Sequence, residues 1–325
     1  MSFWPSRRVL VTGATGVVGS WLTRRLVDDG AYVVVLVRDM DPQSELLRSG
    51  TLERVAVVNG ELENAATVDR AVIEHDIDTI VHLGAQTIVG AAFRSPAATF
   101  ASNITGTVNV LESARVHSSL VRAVVIASSD KAYGTADRLP YTEEMPLQGR
   151  GPYDVSKSCA DLLATYYSET YGVPALIARC GNIYGGGDLN WSRIVPGTIR
   201  SLLTGEQPIL RSDGTFRRDY IHVDDVVTAY MLLAEQGHDG NHHGQAFNFS
   251  DESPLTVRDI YDRVCQATVG HEVEPRVLDQ AQHEIRDQWL SSSKARERLG
   301  WSVQVSVTDG LNRTVAWYRA LLERP

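Results

Sequence analysis

Residues 8–22 read RVLVTGATGVVGSWL, and the order of features along them decides the fold. Arg8–Thr12 is a short apolar run, as a strand buried on both faces should be. Gly13, Gly16 and Gly19 follow at intervals of three, and an amphipathic stretch over 17–29 then begins a helix. Glycines let backbone approach a pyrophosphate, and a helix N-terminus offers unpaired N–H groups and the positive end of a dipole. A glycine pattern alone is weak, and GxxGxxG differs from the GxGxxG form. The order strand, glycine turn, helix is what specifies it. It assigns Gly13, Thr15, Gly16, Val17, Val18 and Gly19 to a dinucleotide cradle rather than to a merely tight turn.

Further along, apolar runs at Tyr32–Val37, Arg54–Val58, Thr79–Leu83, Arg122–Ala127 and Ala175–Arg179 alternate with helical periodicity at 67–75, 103–117 and 155–171. Such alternation predicts an α/β fold, a Rossmann-like doubly wound parallel sheet covered by helices on both faces. After about residue 180 the pattern breaks at the glycine-rich GNIYGGGD (181–188). Helical stretches follow at 194–204, 224–236, 256–268 and 308–322, with a late strand AFNFS (246–250). The expected organisation is a dinucleotide-binding domain over 1–180 and a smaller, interleaved substrate lobe over 181–325, with a soft boundary.

The formal net charge of −9 argues against a nucleic-acid or anionic-membrane surface. No apolar run approaches the ~20 residues that span a bilayer. MSFWPSRRVLVTG enters a strand almost at once, which leaves no room for a signal peptide, and Cys159, Cys180 and Cys265 are few and widely spaced. A cytoplasmic location is expected. Asn241-His242-His243-Gly244 is read as a loop, because adjacent histidines point apart and no ligand cluster accompanies them; no metal is expected.

The second strand should end at the adenosine ribose, where an acid favours NAD and an arginine accommodates NADP. Val37-Arg38-Asp39 offers both. Arg38 comes first beyond the strand and leans the reading toward NADP, the alternative being a solvated charge pair. Glu61, Leu62 and the strand end HLGAQ (82–86), with Leu83, Gly84, Ala85 and Gln86, are placed to line the adenine and pyrophosphate.

At 153–157 the chain reads YDVSK, which sets Tyr153 and Lys157 on one helical face. A nearby ammonium and a positive nicotinamide would favour tyrosinate and move Tyr153 toward a usable base. Ser129, at the earlier strand end, supplies a hydroxyl to orient the reacting oxygen.

With VTGATGVVGSWL, HLGAQ, NITGTVNVLESA (103–114), SSDKAYG (128–134), PYDVSKSCAD, RCGNIYGGGD, RRDYIHVDDV (217–226) and SKARERLGW (293–301), nearly the whole chain resembles the extended short-chain dehydrogenase/reductase family, in particular its nucleotide-sugar epimerases and dehydratases. The resemblance implies a tightly held NAD or NADP that is reduced and reoxidised within one turnover, a nucleotide-diphosphate sugar substrate, and a homodimer through helices near 97–117 and 155–171. It makes Tyr153 the base at the sugar 4-hydroxyl. Lys157 would hold Tyr153 and the nicotinamide ribose, with Asn103 beside the cofactor. Asn182 would contact the nucleotide-sugar, and Arg218 and Arg286 would face its diphosphate. Two positions depart from the family pattern: Ser291 stands where an acid often opens the late segment, and Glu61 replaces the usual aspartate.

The pair Asp130-Lys131 resembles the CDP-glucose 4,6-dehydratases. There an acid and a base serve water loss from C6 after oxidation at C4: Asp130 would protonate the leaving hydroxyl and Lys131 would take the C5 proton. A lysine base must be partly neutral, which requires desolvation or a neighbouring cation. Three alternatives stay open: an NDP-sugar epimerase, an Asp130–Lys131 ion pair that merely orders the loop, and a cofactor-sensing protein without turnover. Trp191 and Arg193 follow the glycine loop; Trp191 either stacks on the base or sugar or simply packs.

Overall fold

The computed structural model of the chain describes residues 3–280 and 284–323. Its strands are β1 (Arg8–Thr12), β2 (Tyr32–Val37), β3 (Ala56–Asn59), β4 (Thr79–His82), β5 (Ala123–Ser129), β6 (Ala175–Cys180), β7 (Asn182–Tyr184), β8 (Ile209–Leu210), β9 (Arg217–Arg218), β10 (Tyr220–His222), β11 (Ala246–Phe249), β12 (Leu255–Thr256), β13 (Arg276–Val277) and β14 (Asp287–Gln288). Seven of them form a parallel sheet in the order β11-β6-β5-β4-β1-β2-β3. The succession reverses between β1 and β4. A doubly wound sheet binds its ligand at such a switch point, beyond the carboxyl ends of the strands.

Helices α1 (Val17–Asp28), α2 (Glu45–Arg48), α3 (Ala65–Glu74), α4 (Val89–Arg94), α5 (Pro96–Phe100), α6 (Gly106–Val116) and α7 (Pro152–Tyr171) precede the turn at 181–188. After it come α8 (Ile194–Thr204), α9 (Val223–His238), α10 (Val257–Val269), α11 (Ser293–Leu299) and α12 (Val307–Leu322). Side-chain alternation along β1 explains the two helical layers. Val9 and Val11 enter one core with Leu22 and Leu26 of α1 and Val226 and Leu233 of α9. Leu10 enters the other, with Val72 of α3, Leu111 of α6 and Ala164 of α7. A third core joins Ile199 of α8, Val264 of α10 and Val315 of α12.

The helix ends follow local chemistry. α7 starts with Pro152 in its first turn, where the missing N–H costs nothing, and stops at Gly172 with φ +70°. α10 opens on a capping box between Thr256 and Asp259.

Three sequence expectations shift. The strand expected at Arg54–Val58 begins only at Ala56, because Thr51–Arg54 close a 3₁₀ turn. The helix expected over 103–117 starts as α5 at Pro96 and passes through a π-helical turn at Ala101–Thr105. β5 runs two residues beyond Ala127, so Ser128 and Ser129 are still in the ladder. The two- and three-residue strands after 181 are too short to carry a readable period. Among the described residues no helix is long and apolar enough to cross a membrane.

Candidate active site

The cradle forms where β1 meets α1. Gly13 has φ +72°, and a Cβ there would lie 2.7 Å from the Gly84 nitrogen. At Gly19 a Cβ would stand 2.1 Å from the Gly13 oxygen, so only glycine lets α1 pack this closely on the turn. Gly16 caps α1 with no side-chain hydrogen bond, which leaves the N–H groups of Val17 and Val18 for a ligand, with Thr15 half-buried beside them. The cradle therefore fits a dinucleotide pyrophosphate. Thr12 Oγ1 receives a hydrogen bond from the Gly84 N–H at 3.0 Å and lies 2.8 Å from His82 Nδ1, which fixes the Leu83-Gly84-Ala85 turn beside it. Burial lowers the His82 pKa to about 3, so this histidine is neutral. Leu62 packs so closely that its Cδ1 would lie 2.6 Å from a Cβ on Gly84.

At the ribose end, Arg38 donates from Nε to Asp39 at 2.6 Å. That bond, with the charges of Glu63 and Glu61, raises the Arg38 pKa. Asn103, expected against the cofactor, is buried: its Nδ2 donates to the Gln86 oxygen (3.1 Å) and Ser156 Oγ (2.8 Å), and its Oδ1 accepts from the Gln86 N–H (2.6 Å). Both donors are spent inside the protein, so Asn103 ties the 84–86 loop to the helix that carries Tyr153.

Tyr153, Lys157 and the turn after β5 converge from α7 and the sheet. Residues Asp130–Tyr133 form a 3₁₀ turn capped by Ser129 Oγ, which accepts from the Lys131 N–H at 3.2 Å. The turn is held from beneath: Ser158 Oγ of α7 donates to the Ala132 oxygen at 2.9 Å, and Tyr133 stacks on Tyr141 with ring centroids 4.8 Å apart. Arg179 donates to the Tyr133 hydroxyl at 2.7 Å and, through Nε and Nη2, to both Asp161 oxygens at 2.7 and 2.8 Å. Despite the cost of burial, Asp161 holds the Arg179 pKa up. Asp161→Ala leaves that buried guanidinium without its carboxylate, and denaturant unfolding should show a loss of about 3–5 kcal/mol. A loss comparable to that of an exposed pair would contradict this anchoring.

The titrations within the site have physical causes. Burial pushes the Tyr153 phenol up to about 12, opposed by the charge of Arg193 and a hydrogen bond with Ser129. Lys157 Nζ lies 6.0 Å from the Tyr153 ring centroid and donates to the Ala127 oxygen at 2.7 Å. Burial lowers its pKa to about 8, against the pull of Asp161. Asp130 is 4% exposed; Ser129 Oγ donates to its Oδ1 at 2.9 Å, and burial raises its pKa. Among the described residues Asp130 and Lys131 make no salt bridge within 4.0 Å, and the Lys131 charge opposes the rise that burial causes.

Of the expected substrate residues, Arg193 lies by Tyr153 and is paired with Asp188 at 2.9 Å. Asn182 sits on β7, its Nδ2 donating to the Asp219 oxygen at 3.3 Å. Arg218 is buried, and three carbonyls take its donors: those of Arg217 and Arg286, each at 2.8 Å, and that of Ile285. The exposed Arg286 lines a cleft of about 430 Å³ with Arg217 and Trp289. Trp191 packs: its ring centroid is 5.7 Å from that of Tyr318, and the Arg200 guanidinium lies 4.9 Å over it. His243 Nε2 lies 2.9 Å from the Gly237 oxygen, and among the described residues no group of three or more His, Cys, Asp or Glu could hold a metal.

Sequence reasoning missed Asp219, a fully buried carboxyl whose pKa burial and the Asp130 charge push up to about 7. A signal was present: an acid directly before the strand-like YIHV of RRDYIHVDDV.

Comparisons with known proteins agree with this geometry. The family described as GDP-mannose 4,6 dehydratase matches residues 10–314. CDP-glucose 4,6-dehydratase of Salmonella typhimurium is 30% identical, over 98% of this chain and 92% of that protein. UDP-glucose 4-epimerase of Mycolicibacterium smegmatis is 31% identical, over 96% and 98%. Among solved structures, dTDP-glucose 4,6-dehydratase DesIV of Streptomyces venezuelae, with NAD and TYD bound, superposes with a TM-score of 0.86 at 29% identity, over 96% of this chain and 97% of that one. UDP-glucose 4-epimerase of Thermotoga maritima, with UDP-glucose, gives 0.88 at 27%, over 97% and 100%. With a family match over nearly its whole length and a sheet, cradle and Ser–Tyr–Lys cluster to fit, the chain belongs to the GDP-mannose 4,6 dehydratase family.

Proposed function

We propose that the protein is an NDP-hexose 4,6-dehydratase using a tightly held nicotinamide dinucleotide, with 1–180 as the cofactor domain and 181–325 as the substrate lobe. The observation that carries this reading is the buried, unpaired Asp130 beside Lys131 on the turn after Ser129. A nicotinamide dinucleotide, which the cradle at 13–19 and Lys157 would hold, would supply a hydride acceptor for C4 and a hydride donor for C6. Ser129 orients the 4-oxygen and Tyr153 takes its proton, with Lys157 at the ribose. Once C4 is a ketone the C5 proton is acidic, and Lys131 takes it. Asp130, whose carboxyl burial shifts toward the protonated form, gives its proton to the C6 hydroxyl, which leaves as water. Lys131 then returns a proton to C5.

Epimerisation at C4 is the second reading, favoured by the likeness to the two UDP-glucose 4-epimerases. It needs Ser129, Tyr153 and Lys157 but leaves Asp130 and Lys131 without a task. Incubation with a panel of nucleotide-hexoses decides: a product lighter by one water supports dehydration, and one of unchanged mass and altered stereochemistry supports epimerisation.

Three carboxylates around Arg38 already answer the charge that a 2′-phosphate would need, which turns the reading from NADP to NAD. DesIV was solved with NAD. Mass analysis of cofactor released from purified protein should give NAD; NADP would restore Arg38 as a phosphate ligand. The proposed homodimer uses α6 and α7, whose Val116, Leu162, Tyr166 and Tyr171 side chains are exposed.

A further inference from the structure

The glycine run of GNIYGGGD has no task in the reaction above, yet the turn is closed off from solvent: residues 184–188 are all buried. Two tryptophans far apart in sequence hold it. Trp21 of α1, the helix that rises from the cradle, donates from Nε1 to the Gly186 oxygen at 2.7 Å. Trp317 of α12 lies against the same residue, where a Cβ would stand 2.3 Å from its Cγ, so only glycine admits the ring. Trp317 is in turn tied to α1 and α2. Its Nε1 donates to Glu45 Oε2 at 2.6 Å, and Arg24 Nη1 donates to Glu45 Oε1 at 3.2 Å. Arg48 adds a bond to the Ala320 oxygen of α12 at 3.1 Å.

The residue that this clamp delivers is Asp188. Its side chain is buried and both carboxylate oxygens are engaged: Oδ1 accepts from the Asn190 N–H at 3.0 Å, and Oδ2 from Arg193 Nη1 at 2.9 Å. Its backbone oxygen takes the hydroxyl of Tyr318, the neighbour of Trp317, at 2.6 Å. Arg193 is different in kind. Its side chain is 41% exposed, and among the described residues only Nη1 has an acceptor. A buried carboxylate that grips an exposed guanidinium by one nitrogen fixes its direction and leaves the remaining donors for an anion.

We propose that Asp188 is a positioning residue for Arg193, and that the glycine turn clamped between Trp21 and Trp317 sets its place. The proposal rests on the reading of Arg193 as a ligand of the nucleotide-sugar. It goes beyond that reading by making affinity for the sugar nucleotide depend on a contact with the cradle helix α1.

Calorimetric Kd values of CDP-glucose, dTDP-glucose and UDP-glucose on the purified holoenzyme decide it. Asp188→Asn keeps the Oδ1 acceptor for Asn190 but loses the charge that holds Arg193. It should weaken whichever of the three the parent binds most tightly by about tenfold. Trp21→Phe keeps a ring at this position and loses the indole N–H. It should weaken the same ligand, and it serves alone if Asp188→Asn does not fold. In an Arg193→Gln background neither substitution should move the Kd by more than about twofold, because the group they position is gone. A merely structural role would lower the melting temperature without that dependence on Arg193. Unchanged affinity in the single variants, or losses that persist undiminished after Arg193→Gln, overturn the proposal. If the parent binds none of the three, the nucleotide-sugar reading falls and the proposal with it; if it binds one and the variants bind it equally, the proposal alone falls.

Discussion

Replacing Tyr153 by Phe should lower turnover by about 10²–10⁴-fold, the usual worth of a positioned general base. The half-buried ring stays in place and only the phenolic oxygen is lost, so stability should change by about 1 kcal/mol or less. Binding of a nucleotide-diphosphate hexose should persist. The parent should also lose activity as pH falls, because the tyrosine must give up a proton that burial, against the charge of Arg193, holds to about 12. A Phe variant with near-normal turnover would remove Tyr153 from the chemistry and leave Lys157 and Ser129 as binding residues only.

The second large effect separates oxidation from elimination. Asp130→Asn keeps shape and hydrogen-bonding capacity but has no carboxylic proton to give, and complete turnover should fall by about 10²–10⁴-fold. The half-reaction at C4 should survive, because Ser129, Tyr153 and Lys157 are untouched. Quenched samples should then contain a 4-keto hexose nucleotide and no product lighter by one water. Lys131→Met keeps the stem without the amine, and should abolish exchange of the C5 proton with solvent. If the enzyme is an epimerase, neither variant should accumulate the 4-keto sugar. If the two residues only ordered the turn, both variants would be destabilised with chemistry intact.

The sheet was legible because strands buried on both faces leave continuous apolar runs, and Tyr32–Val37 fell where the sequence placed it. The cradle was legible for a related reason: a glycine whose absent Cβ would meet backbone has no substitute. What escaped was non-local. The three oxygens and nitrogens that Asn103 satisfies lie on the 86 loop and α7, far away in sequence, so its placement between loop and helix could not be read from NITGTV. Arg218 and Arg286 look equivalent in sequence. Folding buries the first among carbonyls and leaves the second exposed on a cleft, because β14 brings its backbone against β9. Asp219 was missed because the groups it meets, Gly181, Ser250 and the Leu290 N–H, lie far from it in sequence.

The measurement that tests the central claim most directly is turnover of an accepted nucleotide-hexose in deuterium oxide, with mass and hydrogen position read on the same product. The account predicts a product lighter by one water, with solvent deuterium at C5 placed there by Lys131. A product of unchanged mass, inverted at one carbon and free of deuterium at C5, would contradict it.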